Sequence, residues 1–153
     1  YFNDDLSFFD NATEETHSSF AGPYFDNITT ATAGSNYDDT YSVQWKGYFK
    51  AAETGIHIFY TKSDDSSWLW LGSKLTSIEK LVSERSSSSA IVNNSGLHGV
   101  VMKYGFISLE AGKLYPILIY FGENSGGDII EVSFTPPSGT YTFDGTNYFF
   151  RAE

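Results

Sequence analysis

Two adjacent carboxylates mark the most informative stretch of the chain, which reads Thr61-Lys62-Ser63-Asp64-Asp65-Ser66-Ser67-Trp68-Leu69-Trp70-Leu71-Gly72. Neighbouring side chains of a regular strand point to opposite faces, so Asp64 and Asp65 can converge only at a sharp turn. Their spacing leaves two interpretations open. They are either the start of a Ca²⁺ site, which needs hard oxygen ligands, or an aspartate-rich β-turn.

Short runs of aromatic and β-branched residues surround this stretch and are separated by Gly, Ser, Asn, Asp and Pro clusters. Apolar residues alternate with polar ones, most clearly at Val43, Trp45 and Phe49, as expected for half-buried strands. The pattern predicts an all-β fold. The predicted strands are residues 41–51, 55–62, 68–72, 97–109, 113–121, 128–135 and 140–150. Residues 73–84 have helical spacing but are also compatible with strand and loop.

The length of 153 residues favours a single domain, 1–153. We expect a β-sandwich over residues 41–150. Residues 1–40 are polar and rich in turn-forming residues, with scattered aromatics, and are predicted to wrap irregularly around it. The end segments are not tail-like, and we expect the domain to be part of a longer multidomain chain or assembly.

Composition excludes several classes of function. The net charge of −10 argues against nucleic acid or an anionic membrane as the partner, because both need a basic surface. The chain has no cysteine, which excludes disulfides and cysteine-bound metals. The 13 Phe, 11 Tyr and 3 Trp argue against disorder. No apolar run approaches the roughly 20 residues of a membrane span, so direct membrane insertion is not expected.

Catalytic motifs are missing from the sequence. It contains no Gly-X-Ser-X-Gly motif, no phosphate-binding glycine loop and no His-Glu-X-X-His pair. His17, His57 and His98 lie far apart and are expected to be surface residues. Paired acids for glycoside hydrolysis carry no signal in a chain with 19 acidic residues. We therefore expect a protein that is not an enzyme.

Five ordered blocks carry a resemblance to a known family. They include Trp45-Lys46-Gly47-Tyr48-Phe49, Glu53-Thr54-Gly55-Ile56, the aspartate stretch through Trp68-Leu69-Trp70-Leu71-Gly72, Leu114-Tyr115-Pro116-Ile117 and Val132-Ser133-Phe134-Thr135-Pro136-Pro137. The chain resembles the lectin-like family named after the N-terminal domain of anthrax protective antigen. It looks closest to the yeast flocculin and adhesin (GLEYA) branch. The resemblance implies a jelly-roll-like antiparallel β-sandwich that binds glycans at one end.

The resemblance also implies site residues. In the Ca²⁺-dependent lectins of the family, two aspartates joined by a cis peptide bind one calcium ion, and a second loop and two sugar hydroxyls complete its coordination. The aspartates correspond to Asp64 and Asp65. The second-loop position falls on Glu123, followed by Asn124, where the adhesins usually have a lone Asn. Glu is also a hard oxygen donor. Asp128 is either a further ligand or the start of the next strand.

The tryptophans have separate expected roles. Trp45 and Trp70 are predicted to be core residues. Trp68 directly follows the aspartates and is either core or a ring that stacks on a sugar beside Asp64, Asp65 and Glu123. The expected ligand-binding residues therefore include Trp68.

The predicted function is calcium-dependent carbohydrate binding, as a lectin or adhesin module that recognises sugar diols on glycans or glycoproteins of a cell or surface. The alternatives are a structural module of a surface fibre, adhesin stalk or filament, and an accessory domain of a glycoside hydrolase. Asn-X-Ser/Thr sequons at Asn11, Asn27 and Asn93 favour a secreted or cell-surface glycoprotein, although a Ser- and Thr-rich chain also forms sequons by chance.

Overall fold

The computed structural model describes residues 3–12, 29–31, 39–74 and 76–151. Their elements follow the chain in the order α1 (Phe8–Asn11), β1 (Thr29–Ala31), β2 (Tyr41–Lys50), β3 (Gly55–Asp64), β4 (Ser66–Leu71), α2 (Ile78–Glu84), β5 (Val92–Asn94), β6 (Val101–Leu109), β7 (Leu114–Glu123), β8 (Ile129–Thr135) and β9 (Phe149–Arg151). The predicted all-β class is confirmed, since the two helices are short.

The strands form two antiparallel sheets that make a sandwich. The four-stranded sheet has the order β1-β8-β3-β6, and the five-stranded sheet has the order β5-β4-β7-β2-β9. β7 lies in the middle of its sheet and is buried from Tyr115 to Glu123, as its apolar residues on both faces predict. Its register with β2 pairs Tyr41 with Glu123, and its register with β4 pairs Ser66 with Gly122.

The core between the sheets is aromatic. The ring of Phe49 on β2 contacts Phe59 on β3 and Phe134 on β8, with a centroid separation of 4.9 Å in each case. Trp45 and Ile117 are buried in the same cluster. Each such side chain contributes about 2 kcal/mol when it is removed from water, and edge-to-face packing fixes the distance between the sheets.

A second apolar cluster lies on the outer face of the five-stranded sheet. Trp68, Trp70 and Tyr120 are buried there beneath α2 and the N-terminal residues 3–12. Ser77 caps α2, because its side chain accepts a hydrogen bond from the Lys80 amide. The helix occupies the second half of the predicted 73–84 segment. Of the wrapping segment predicted for residues 1–40, the described part that packs here is residues 3–12. Most of the rest lies outside the described residues.

Two predicted strands, 97–109 and 140–150, are right only in part, as β6 and β9. Residues 97–100 form a loop before β6, because Gly96 adopts a φ of +97°, which ends β5 in a turn. The segment 140–148 is mostly irregular. It pairs with β8 only at an isolated bridge between Phe134 and Thr142, and Asp144 then accepts a hydrogen bond from the Thr146 amide in a turn. The short strand β5 was not predicted.

The strand ends define the tip of the sandwich. Here β3 runs into β4 at residues 64–66, β5 runs into β6 through residues 95–100, and β7 runs into β8 through residues 124–128. The register pairs Asp64 with Ile129 and Ser63 with Val101, so these three connections meet at the same end. No helix in the described ranges is long and apolar enough to cross a membrane.

Candidate metal centre

Three carboxylates converge at the tip. Asp64 is the last residue of β3, Asp65 is the turn residue before β4, and Glu123 is the last residue of β7. Because Ser66 pairs with Gly122, the start of β4 lies beside the end of β7 and brings Asp65 to Glu123. One carboxylate oxygen from each of the three residues lies within 4.8 Å of the other two. The peptide bond between Asp64 and Asp65 is cis, as the resemblance implies.

Asp65 is held by backbone donors from both neighbouring loops. The His98 amide donates to its Oδ1 at 3.0 Å, and the Asn124 amide donates to its Oδ2 at 3.0 Å. The side chain is only 6 % exposed. Each carboxylate oxygen has a second acceptor position. The orientation of Asp65 is therefore fixed by the protein while lone pairs remain for a further partner.

Glu123 is more deeply buried than Asp65 and less well supported. It is 1 % exposed, and neither Oε1 nor Oε2 finds a hydrogen-bond partner of ordinary geometry within the described part of the chain. Burial, followed by the charges of Asp65, Asp128 and Asp64, raises the pKa of Glu123 to about 7, while a hydrogen bond from the Asp65 amide opposes the shift. A buried carboxylate whose oxygens have no such partner is costly unless it is neutral or paired with a cation.

Asp64 completes the group at its more open side. Burial raises the pKa of the Asp64 carboxyl, the charge of Asp65 raises it too, and the His98 side chain acts in the opposite direction. The 124–128 loop passes close to this carboxylate, since a Cβ on Gly127 would lie 3.4 Å from Asp64 Oδ2, an ordinary van der Waals contact.

A buried polar network supports the aspartates from below. The Ser67 hydroxyl donates to Thr61 Oγ1 at 2.8 Å, and Asn94 Nδ2 donates to the Ser63 hydroxyl at 3.1 Å. Ser63 and Ser67 share a further hydrogen bond of 2.7 Å. The network joins β3, β4 and β5. It explains why small polar residues, rather than apolar ones, flank the aspartate pair in the sequence.

The donor set fits a hard divalent cation. Carboxylate oxygens are the preferred protein ligands of Ca²⁺, and the cation neutralises like charges that would otherwise repel one another. The unpartnered oxygens of Glu123 and the second lone pairs of Asp65 supply positions that the other described residues leave unused. Asp64, Asp65 and Glu123, three of the predicted ligands, therefore lie together in one site.

The other predicted site residues have different roles. Asn124 contributes its backbone amide to Asp65, and its side chain as a ligand stays a prediction. The ligand-binding role of Trp68 was wrong, because the side chain is 4 % exposed and its ring stacks on Trp70 at 5.7 Å. Its indole N–H donates to Asp4 Oδ1 at 2.8 Å.

Sequence reasoning missed His98 and left the role of Asp128 open, and both residues act on the site. His98 supports Asp65 from 33 positions away, and the sequence carries no signal for that contact. Asp128 lies just outside β8, accepts a hydrogen bond from the Tyr41 hydroxyl at 2.8 Å, and raises the pKa of both Asp64 and Glu123 through its charge. Its position after Gly126 and Gly127 in the second loop was the available signal.

The predicted glycosylation sites differ in what the structure describes. Asn11 at the end of α1 and Asn93 on β5 are both exposed. Asn27 lies outside the described residues. Exposure is a requirement for modification, and glycosylation at these sites stays a prediction.

Several solved structures have the same fold. The Epithelial Adhesin 9 A domain from Candida glabrata, solved in complex with Galβ1-4GlcNAc, is 20 % identical with a TM-score of 0.63, and the match covers 75 % of this chain and 53 % of that chain. An anti-sigma factor domain-containing protein from Clostridium clariflavum is 25 % identical with a TM-score of 0.61, over 76 % and 34 %. The PA14 sugar-binding domain from an RTX adhesin is 13 % identical with a TM-score of 0.55, over 72 % and 54 %.

The chain thus spans about half the length of the adhesin domains that it matches. No curated protein sequence matches it. A family model, described as the PA14 domain, matches residues 2–147, which include both sheets up to the last strand and all three carboxylates of the tip. The chain belongs to the PA14 domain family.

Proposed function

We propose that this domain binds glycans through a calcium ion held by Asp64, Asp65 and Glu123, with Asn124 beside them. The observation that carries the proposal is the buried Glu123 carboxylate, whose two oxygens are unpartnered while they face two further carboxylates. A cluster of like charges at this depth is destabilising by itself. A bound cation would offset this repulsion where the three strand ends meet.

The chain prepares the site before any ligand arrives. The amides of His98 and Asn124 fix Asp65, and the network of Thr61, Ser63 and Ser67 holds the strands that carry the aspartates. A bound Ca²⁺ would supply open coordination positions at which two adjacent sugar hydroxyls replace water. Leu97 and Val100 are exposed in the loop that contains His98, and they provide apolar surface for the carbon face of a sugar ring.

Family membership and the adhesin and sugar-binding neighbours support glycans as the ligand class. We infer binding without catalysis, on the cell surface or in secreted form, as one module of a longer chain. A single diol site of this kind gives weak affinity, so adhesion would depend on several copies acting together.

The test is calorimetric titration of the protein in free solution with a panel of mono- and disaccharides, once in Ca²⁺ and once in EGTA. We expect binding in Ca²⁺ alone. Asp64→Ala combined with Asp65→Ala should abolish it. The charge-matched control is Glu84→Ala combined with Asp144→Ala, which removes two exposed acids that lie outside the tip and should bind as the wild type does.

Equal binding in Ca²⁺ and EGTA would contradict the ion site. Absence of sugar binding in Ca²⁺ would contradict the proposal as a whole and favour the structural module that the sequence leaves open.

A further inference from the structure

An exposed apolar ribbon runs away from the tip along the edge strand of the four-stranded sheet. It consists of Leu97, Val100, Met102, Tyr104 and Phe106. These side chains are 60 %, 49 %, 44 %, 62 % and 60 % exposed. The last four occupy every second position, so they share one face of β6 and its approach. Isolated exposed apolar residues are ordinary, but a continuous row of this kind marks a binding surface.

The ribbon is continuous with the carboxylate site. Leu97 is the neighbour of His98, whose amide holds Asp65. From there the ribbon follows β6, in which Tyr104 pairs with Tyr60 and Phe106 with Ile58 of β3. Asp64 and Tyr60 lie on the same face of β3 and are four residues apart. At the rise of a β-strand this places Tyr60 and its partner Tyr104 about 13 Å from the carboxylates. A chain-like ligand held at the tip can therefore continue onto these rings.

The rings form a stepped path. The Tyr104 and Phe106 centroids are 5.6 Å apart with the planes at 83°, and Tyr60 and Tyr104 are 6.2 Å apart at 50°. Rings with such different tilts do not make one flat plane for a crystalline polysaccharide. They offer successive faces and edges to the sugar units of a flexible soluble chain, whose C–H faces pack on aromatic rings.

Charge favours a neutral glycan over a second copy of the protein. Lys103 is the one charged residue within β6, whereas the whole chain carries a net charge of −10. Two copies that met through this face would bring two strongly acidic molecules together, which opposes association. A neutral oligosaccharide meets no such repulsion.

We propose that the ribbon is an extended subsite for neutral oligosaccharides, which bind with their terminal unit at the carboxylate site and their following units along Met102, Tyr104 and Phe106. The inference rests on the proposed function, because the terminal unit is held there. It adds that the domain recognises glycan chains several units long in preference to single terminal sugars.

The experiment is calorimetry with three ladders of soluble oligosaccharides: Galβ1-4GlcNAc and its repeats, mannose and linear manno-oligosaccharides, and cellobiose and its longer homologues. For the ladder that the wild type binds, we expect affinity to rise about tenfold from the shortest to the longest member through ring contacts. Tyr104→Ala combined with Phe106→Ala should abolish this gain and leave the affinity for the shortest member and its Ca²⁺ dependence unchanged.

Leu114→Ala is the matched control, because Leu114 is 49 % exposed at the end of β7 farthest from Glu123. It should retain the full length dependence. Equal affinity for short and long members would overturn the extended subsite and leave the carboxylate site intact. Failure of every ladder to bind would overturn the proposed function together with the subsite.

Light scattering tests the alternative that the ribbon binds a second copy of the protein. A monomeric wild type agrees with the proposal. A wild-type dimer that Tyr104→Ala with Phe106→Ala converts to a monomer, without any length dependence of sugar binding, would overturn it and assign the ribbon to self-association.

Discussion

Two regions of the molecule bury polar atoms. One is the covered face, the outer face of the five-stranded sheet beneath α2 and residues 3–12, and the other is the tip of the sandwich. They differ in whether the buried polar atoms have hydrogen-bond partners. On the covered face, the Trp68 indole donates to Asp4 and the Trp70 indole donates to the Ser86 carbonyl, at 2.8 and 2.9 Å. At the tip, Glu123 is equally buried, and its oxygens find no hydrogen-bond partner of ordinary geometry among the described residues. One region supplies its own partners. The other holds three carboxylates together, and we propose that a cation binds between them.

This difference separates structural from functional polar groups. A buried donor with a good acceptor adds to stability, whereas a buried charge without one subtracts from it. The contribution of the covered face to the free energy of unfolding should therefore not change with calcium, whereas that of the tip should. Changes on the two regions can be compared directly in one protein.

The largest effect is expected on the covered face. Trp70→Ala removes a side chain that is 1 % exposed and packs between Trp68 and Tyr120. We expect a loss of about 3–5 kcal/mol in the free energy of unfolding, equal in Ca²⁺ and in EDTA. Urea denaturation in both solutions measures it. A loss that disappears in Ca²⁺ would break the distinction between the regions.

The next effect concerns the tip. Ca²⁺ at about one hundred times its dissociation constant should raise the wild-type free energy of unfolding by about 3 kcal/mol, because the ion binds only the folded state. Glu123→Gln removes one buried charge from the cluster. It should be more stable than the wild type in EDTA and gain less from Ca²⁺. Thermal unfolding with and without Ca²⁺ tests both statements, and an unchanged wild-type midpoint would refute the site.

A pH dependence should appear on the covered face. Burial raises the pKa of Tyr120 from 10.0 to about 12, while the Arg85 charge opposes this shift. The neutral phenol is favoured in the folded state, so this contribution is complete below pH 10 and is lost between pH 10 and 12. Relative to Tyr120→Phe, the wild type should lose about 2–3 kcal/mol across that interval.

Urea titrations at several pH values measure the difference between the two proteins. Tyr104→Phe, which changes an exposed phenol, is the control and should follow the wild type. Parallel curves for the wild type and Tyr120→Phe would contradict the prediction.

The smallest effect is expected from the link between the two regions. Asp4 accepts hydrogen bonds from the Trp68 indole and from the Gly96 amide in the loop that leads to His98, both at 2.8 Å. Asp4→Ala should cost about 1–2 kcal/mol by leaving these donors unpaired. Asp5→Ala is the control, because that carboxylate accepts hydrogen bonds from exposed Ser7. Equal stability of the two variants would show that Asp4 is dispensable.

Much of the fold could be predicted because alternation of residue type reports which face of a strand is buried. Val43 to Phe49 and the doubly apolar β7 are clear cases, and both strands lie where predicted. Prediction failed where turns decide the backbone. Gly96 turns the chain before residues 97–100 can pair, and the segment around Asp144 forms a local turn. Alternation in these segments reflects exposed apolar residues such as Phe143, which is 64 % exposed.

The aspartate pair by itself left an aspartate-rich turn open, and its assignment to a metal site, together with that of Glu123, followed from the resemblance. The role of Asp128 was harder to predict, since an Asp at the start of a strand has the same sequence pattern whether or not it acts on the carboxylate site. Trp68 failed as a sugar contact because its position in the chain does not reveal that Asp4, 64 residues away, covers its edge.

The sequence by itself determined the strand composition, the antiparallel sandwich, the carboxylate pair and the family. These depend on local periodicity and on short ordered motifs. Only the tertiary structure decided that Glu123 lies buried and unpartnered beside the aspartates, that His98 and Asn124 hold Asp65, and that one aromatic face is covered while the ribbon on β6 is exposed. These properties depend on strand register and on contacts between distant residues, which periodicity along the chain does not encode.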